Sequence, residues 1–124
     1  MKVVYLNVKK GKEPEVIDIK HELNEFYKLI DCRYIDITYR KMRGKTYAVV
    51  CDDEGLLKDK PIISFLTVHP FGRNLDLVGN IVIANIKEDD LDDLPDEDVT
   101  NIMRSRVKYG RYVSDVHPVL MGLL

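Results

Sequence analysis

The stretch IDITYRKMRGKTYAVVC (residues 35–51) decides the fold. Ile35, Ile37 and Tyr39 alternate with Asp36 and Thr38, the two-residue period of a half-buried strand. Residues 47–51 (YAVVC) supply its antiparallel partner across a basic tip at residues 40–45. A hairpin at this point makes the sheet antiparallel, and the flanking elements have to fit around it.

Toward the N-terminus, Leu23, Phe26, Tyr27 and Ile30 follow the i, i+3, i+4, i+7 spacing of one helix face. Before them, Val16, Ile17 and Ile19 suggest a short strand. It pairs with a first strand at residues 3–8 across the turn KKGKEP (residues 9–14). Toward the C-terminus, a turn-rich stretch at 52–61 leads into residues 62–76, where strand-like and loop-like pieces alternate. Residues 78–86 (VGNIVIANI) read as one largely buried strand, with Gly79 marking a bulge or a close backbone approach.

A final helix is expected over 95–110. Pro95 suits its first turn, and Asp96, Glu97 and Asp98 complement its positive end. Val99, Ile102, Met103 and Val107 form the apolar face, Arg104, Arg106 and Lys108 enrich the negative end, and Gly110 stops it.

The order β-β-α-β-β-loop-β-α predicts an α+β fold: a small, mostly antiparallel sheet of about five strands with helices packed on it. The 124 residues suit a single domain spanning 1–124, with a core at 1–87. Hydrophobic residues make up 45% of the chain, enough for one core and against wholesale disorder. Cys32 and Cys51 lack CxxC spacing, which points to reduced thiols and a cytoplasmic setting. The first apolar run is too short for a signal peptide, and no window approaches the roughly 18–20 apolar residues of a spanning helix. No membrane association is expected.

Several of these pieces look alike to one family. They are GKEPEVIDI (residues 11–19), YAVVCDDEGLL (residues 47–57), Pro61 soon after it, and LVGNIVIANI (residues 77–86). Together they resemble the domain of unknown function 3846 family, small proteins of Gram-positive bacteria, their phages and mobile elements. The resemblance covers residues 1–87 in order and the final helix loosely. It departs where the family often has Asn-Arg after the proline; here Ile62-Ile63 follows. The resemblance implies the fold and the host context, and it brings no activity to any residue.

Two charged stretches are the candidate sites. Residues 88–98 (EDDLDDLPDED) hold eight carboxylates, namely Glu88, Asp89, Asp90, Asp92, Asp93, Asp96, Glu97 and Asp98. Eight of the chain's 21 acids lie there, so the remainder carries 19 bases against 13 acids, a formal +6. The functional reading is a phosphate-mimicking strip that binds a nucleic-acid-binding protein. The ordinary reading is a solvated loop leading into a helix whose first turn favours acids. A calcium loop lacks its required Gly and Glu positions. Arg40, Lys41, Arg43 and Lys45 form the basic counterpart, bracketed by Tyr39 and Tyr47. A two-stranded ribbon of this kind can contact nucleic acid; charged hairpin tips also serve solubility. The two patches are also able to satisfy one another.

Catalytic material is thin. His21, His69 and His117 have no partner at metal-ligand spacing, Cys51 reads as a buried small hydrophobe, and Tyr5, Tyr27, Tyr39 and Tyr47 read as packing residues. No cofactor or metal site and no catalytic residue is expected. The apolar tail at 113–124 is expected to dock on the domain or complete a homodimer interface. These features favour a non-enzymatic interaction or accessory protein of a mobile element or its host, with an unknown protein partner. The alternatives are a nucleic-acid-associated protein using the basic tip, and a ligand-binding or enzymatic domain with no visible motif.

Overall fold

The computed structural model describes residues 1–10, 13–57, 62–65, 77–104 and 111–112. The chain runs through β1 (Lys2–Leu6), β2 (Glu15–Asp18), α1 (Leu23–Ile30), β3 (Ile35–Met42) and β4 (Lys45–Asp52). It continues with β5 (Ile62–Phe65), β6 (Leu77–Val78), β7 (Ile81–Lys87), β8 (Asp90–Asp92), α2 (Asp96–Arg104) and β9 (Arg111–Tyr112). The main sheet has the order β2-β1-β7-β4-β3, with β8 paired to the end of β7. All of its pairings are antiparallel. A second sheet has the order β6-β5-β9. The fold is α+β, as the patterning predicts, with six strands in the main sheet among the described residues.

The central hairpin is longer than its sequence suggests. Arg40, Lys41, Met42 and Lys45 all lie in the ladder, and Met42 stands opposite Lys45. Only Arg43 and Gly44 turn the chain, with φ of 50° and 89°. Positive φ at both positions gives the two-residue turn whose twist matches the flanking strands.

Residues 78–86 are not one strand. Val78 ends β6 in the small sheet, and Ile81 begins β7 in the main one. Gly79 makes the change of sheet with φ of 79°. Among the described residues a Cβ there would meet only Lys9 Cε, at 4.0 Å, and the positive φ is what calls for glycine. The close approach is instead at Gly55, where a Cβ would lie 2.3 Å from Val78 Cγ2. Asn80, buried just past the break, donates to the Leu29 carbonyl (3.2 Å) and to Tyr5 Oη (3.4 Å). It also accepts the Lys9 N–H (3.3 Å). Those bonds satisfy the polar group that the change of sheet carries inside.

The main sheet buries both faces. One carries Val4, Leu6, Met42, Tyr47, Val49, Ile81 and Ile83 against Leu94 and against Ile102 of α2. The other carries Val3, Tyr5, Val50, Val82 and Ala84 against Phe26 and Ile30 of α1. The expected helix stripe is narrower than the spacing implies: Phe26 and Ile30 are buried, Tyr27 is half-buried, and Leu23 is 56% exposed. At eight residues, α1 is about 12 Å long. It covers Ile35 but leaves Ile37 and Tyr39 41% and 54% exposed. Tyr39 is therefore not the packing residue expected, whereas Tyr5 and Tyr47 are.

Pro95 stands just before α2, and its carbonyl accepts the Val99 N–H at 3.0 Å. Among the described residues, no helix is long and apolar enough to cross a membrane. The tail at 113–124, residues 66–76, and the expected helix end at 105–110 lie outside the described residues, as do His69 and His117.

Candidate functional site

The acidic stretch is not a uniform strip. Glu88 and Asp89 form the two-residue turn between β7 and β8, with φ of 51° and 64°. Neither is glycine, so the turn holds left-handed backbone at two ordinary residues and sets like charges side by side. Asp90 and Asp92 lie in β8, which replaces part of the expected loop. Asp90 is 3.5 Å from His21 Nε2. Asp93 accepts the Lys2 N–H at 2.7 Å, and Asp96 pairs with Lys2 Nζ. Glu97 remains exposed.

Asp98 departs furthest from a solvated strip. It is 3% exposed and accepts Lys45 Nζ at 2.9 Å on each oxygen and Tyr47 Oη at 2.7 Å. Asn101 completes the cluster, donating to Tyr47 Oη (2.8 Å) and to the Met42 carbonyl (3.0 Å). Burial opposes the Asp98 charge, and the Lys45 and Tyr47 hydrogen bonds outweigh it, holding the carboxyl below the usual range. Burial, reinforced by Asp98, pushes the Tyr47 phenol up to about 12. The cluster consists of mutually satisfied groups that tie α2 to the hairpin. With its carboxyl lowered and its phenol raised, the Asp98–Tyr47 pair is moved away from neutral pH at both groups.

The four basic residues do not form one patch. Lys45 is held by Asp98, and Arg40 is half-buried, its buried Nε lacking a hydrogen-bond partner among the described residues. Lys41 and Arg43 remain as exposed cations near the turn. Tyr47 is fully buried and offers no ring for stacking, while Tyr39 offers one. The expectation that the acidic and basic stretches can satisfy one another holds for Lys45 and Asp98.

Sequence patterning misses the feature that these elements frame. Ile37, Tyr39, Ala48, Ile86 and Leu91 line a shallow groove on the α1 side of the sheet, with Asp89 and Asp90 at its rim. Its cavity volume of about 40 Å³ is far below the ~300–1,000 Å³ of sites that enclose a small-molecule ligand. Its lining is apolar apart from the two aspartates. The signal available in the sequence was the brevity of α1 against an eight-residue β3. Among the described residues, no group of three His, Cys, Asp or Glu side chains is placed to hold a metal ion.

Comparison with known families matches residues 1–106 to the family described as domain of unknown function DUF3846. No curated protein and no solved structure matches the chain. The family match spans most of the 124 residues and includes both halves of the Lys45–Asp98 pair and the whole groove. The chain belongs to the DUF3846 family.

Proposed function

We propose that the protein acts by binding another protein through the groove between β3 and the β7–β8 hairpin, as a non-enzymatic accessory factor of a mobile element or its host, working in the cytoplasm. The observation that carries this reading is the pair Ile37 and Tyr39. They are 41% and 54% exposed on the sheet face, and they line the groove together with Leu91, Asp89 and Asp90. Aromatic and aliphatic side chains held in water on a fixed scaffold are what a partner buries first. The rim asks for a partner segment carrying apolar side chains next to a Lys or Arg.

The acidic strip enters this reading only through Asp89 of the turn and Asp90 at the start of β8. Asp98 is spent inside the fold, and Asp93 and Asp96 are engaged at the start of β1. A nucleic-acid role for the hairpin tip would rest on Lys41 and Arg43. Salt-sensitive DNA binding abolished by Lys41→Ala with Arg43→Ala would favour that role instead.

The test is quantitative capture from the native host. Ile37→Ser with Tyr39→Ser is expected to lose the partner, and Asp89→Asn with Asp90→Asn to weaken it and reduce its salt sensitivity. Capture of the same proteins at the same yield by the Ile37/Tyr39 variant would overturn the reading.

A further inference from the structure

We infer that the outer edge of β3 receives a second copy of this chain, whose own β3 adds antiparallel about a two-fold axis centred on Thr38. This contact uses the hydrogen-bonding edge of the strand. It shares Ile37 and Tyr39 with the groove on the sheet face, but it uses their backbone groups, and charge changes at Asp36 and Arg40, which do not line the groove, test it apart from the groove.

β3 ends the sheet order, and among the described residues no strand pairs with its outer side. It is eight residues long and contains neither proline nor glycine. An edge of that kind is a template for another strand unless something blunts it. The opposite edge, β2, is four residues long and follows Pro14.

The hairpin geometry decides which backbone groups point outward. Met42 and Lys45 close the two-residue turn, so Met42, Arg40, Thr38 and Asp36 direct their backbone groups toward β4. Ile35, Ile37, Tyr39 and Lys41 direct theirs outward. Two of these outward groups are occupied by neighbouring side chains. Ile37 N–H donates to Asp36 Oδ1 at 2.9 Å, and Arg40 Nη1 reaches the Tyr39 carbonyl at 3.5 Å.

An axis at Thr38 places Ile37 opposite the partner's Tyr39, and these two residues exchange the outward N–H and C=O groups. Asp36 then stands opposite the partner's Arg40 in a non-hydrogen-bonded pair, where facing Cα atoms are about 4.5 Å apart and side chains are closest. Asp36 and Arg40, released from the backbone they cap, pair with each other twice across the axis. Arg40 Nε, buried without a hydrogen-bond partner among the described residues, gains a carboxylate within reach. A slip of the axis to Ile37 sets Asp36 against the partner's Thr38, and a slip to Tyr39 sets it against the partner's Met42. Only the Thr38 register sets Asp36 against an opposite charge; it also faces Ile37 with the partner's Tyr39 and Ile35 with the partner's Lys41. The sheet then continues through both copies, and the two grooves lie side by side on one face. One strand pair is a small contact, so the dimer is concentration-dependent.

Sedimentation velocity of the full chain over a concentration series tests this. The wild type is expected to shift from monomer to dimer. Asp36→Arg and Arg40→Asp, each alone, should weaken self-association by about 10-fold or more, since each sets like charges opposite twice per dimer. Mixing the two variants should restore a one-to-one dimer, because each then meets its complement. Amide hydrogen exchange of the wild type provides an arm that needs no variant: protection at Ile37 and Tyr39 should rise with concentration. A wild type that stays monomeric, single variants that associate as the wild type does, a mixture that fails to recover, or concentration-independent protection would each overturn the inference. In the monomeric case, Asp36 and Arg40 act to blunt the edge.

Discussion

Lys45, the first residue of β4, and Asp98, in the first turn of α2, are joined by two hydrogen bonds of 2.9 Å, one to each carboxylate oxygen. One residue comes from the basic stretch of the sequence and the other from the acidic stretch. Charges segregated along the chain are thus partly paired in space, and the pair clamps α2 over the face that carries Met42 and Tyr47.

Asp98→Ala should lower stability by about 2–3 kcal/mol, because it leaves the buried Tyr47 hydroxyl and the Lys45 ammonium without their acceptor. Lys45→Met should lower it by about 1–2 kcal/mol: it takes two hydrogen bonds from the buried Asp98 carboxylate, but Tyr47 still donates to that carboxylate and the lysine side chain is 48% exposed. Urea unfolding of the two variants and of the double variant checks the ordering. Equal losses for both would contradict it.

The same cluster sets opposite pH trends. The Asp98 carboxyl is depressed in the fold, so its contribution is present above the unfolded value of 3.8 and disappears as pH falls through the lower folded value. The Tyr47 phenol is raised, so its contribution is full below pH 10 and is lost as pH climbs toward about 12. Tyr47→Phe should therefore lose less stability than the wild type between those alkaline values. Parallel stability-against-pH curves for the two proteins would contradict this.

Burial, reinforced by Asp36, pushes the Cys51 thiol up to about 12, and its side chain is 4% exposed. In a Cys32→Ala background, the remaining thiol should react with an alkylating reagent at least ~100-fold more slowly in the native protein than in denaturant. Similar rates in both states would mean that Cys51 is not held as described.

The Glu88-Asp89 turn holds two non-glycine residues at positive φ. Replacing them together, Glu88→Asn with Asp89→Gly, supplies the pair that this turn favours and removes two adjacent like charges. Stability should rise by about 0.5–1 kcal/mol. A fall in the thermal midpoint would show that the acidic turn makes stabilising contacts of its own.

The sequence made the paired strands legible because alternation and turn residues are local signals. The central hairpin, the β1–β2 pair and the start of α2 all follow from them. The division at Gly79 was not legible: residues 78–86 are apolar throughout, and periodicity cannot tell one buried strand from two in different sheets. The site was hidden for a related reason. Ile37 and Tyr39 alternate as core residues do, and only the finite reach of α1 leaves them in water. Asp98 reads as one acid among eight, and its burial depends on Lys45 and Tyr47, more than fifty residues away.

The most direct test of the protein-contact reading is site-specific photo-crosslinking in the native host. A photoreactive residue is placed at Tyr39, in the groove, or at Glu97, exposed on α2. Position 39 is expected to yield an adduct to a protein other than this chain, beside any self-adduct, and position 97 is expected to yield none. Foreign-protein adducts from position 97 alone, or from neither position, would contradict the account.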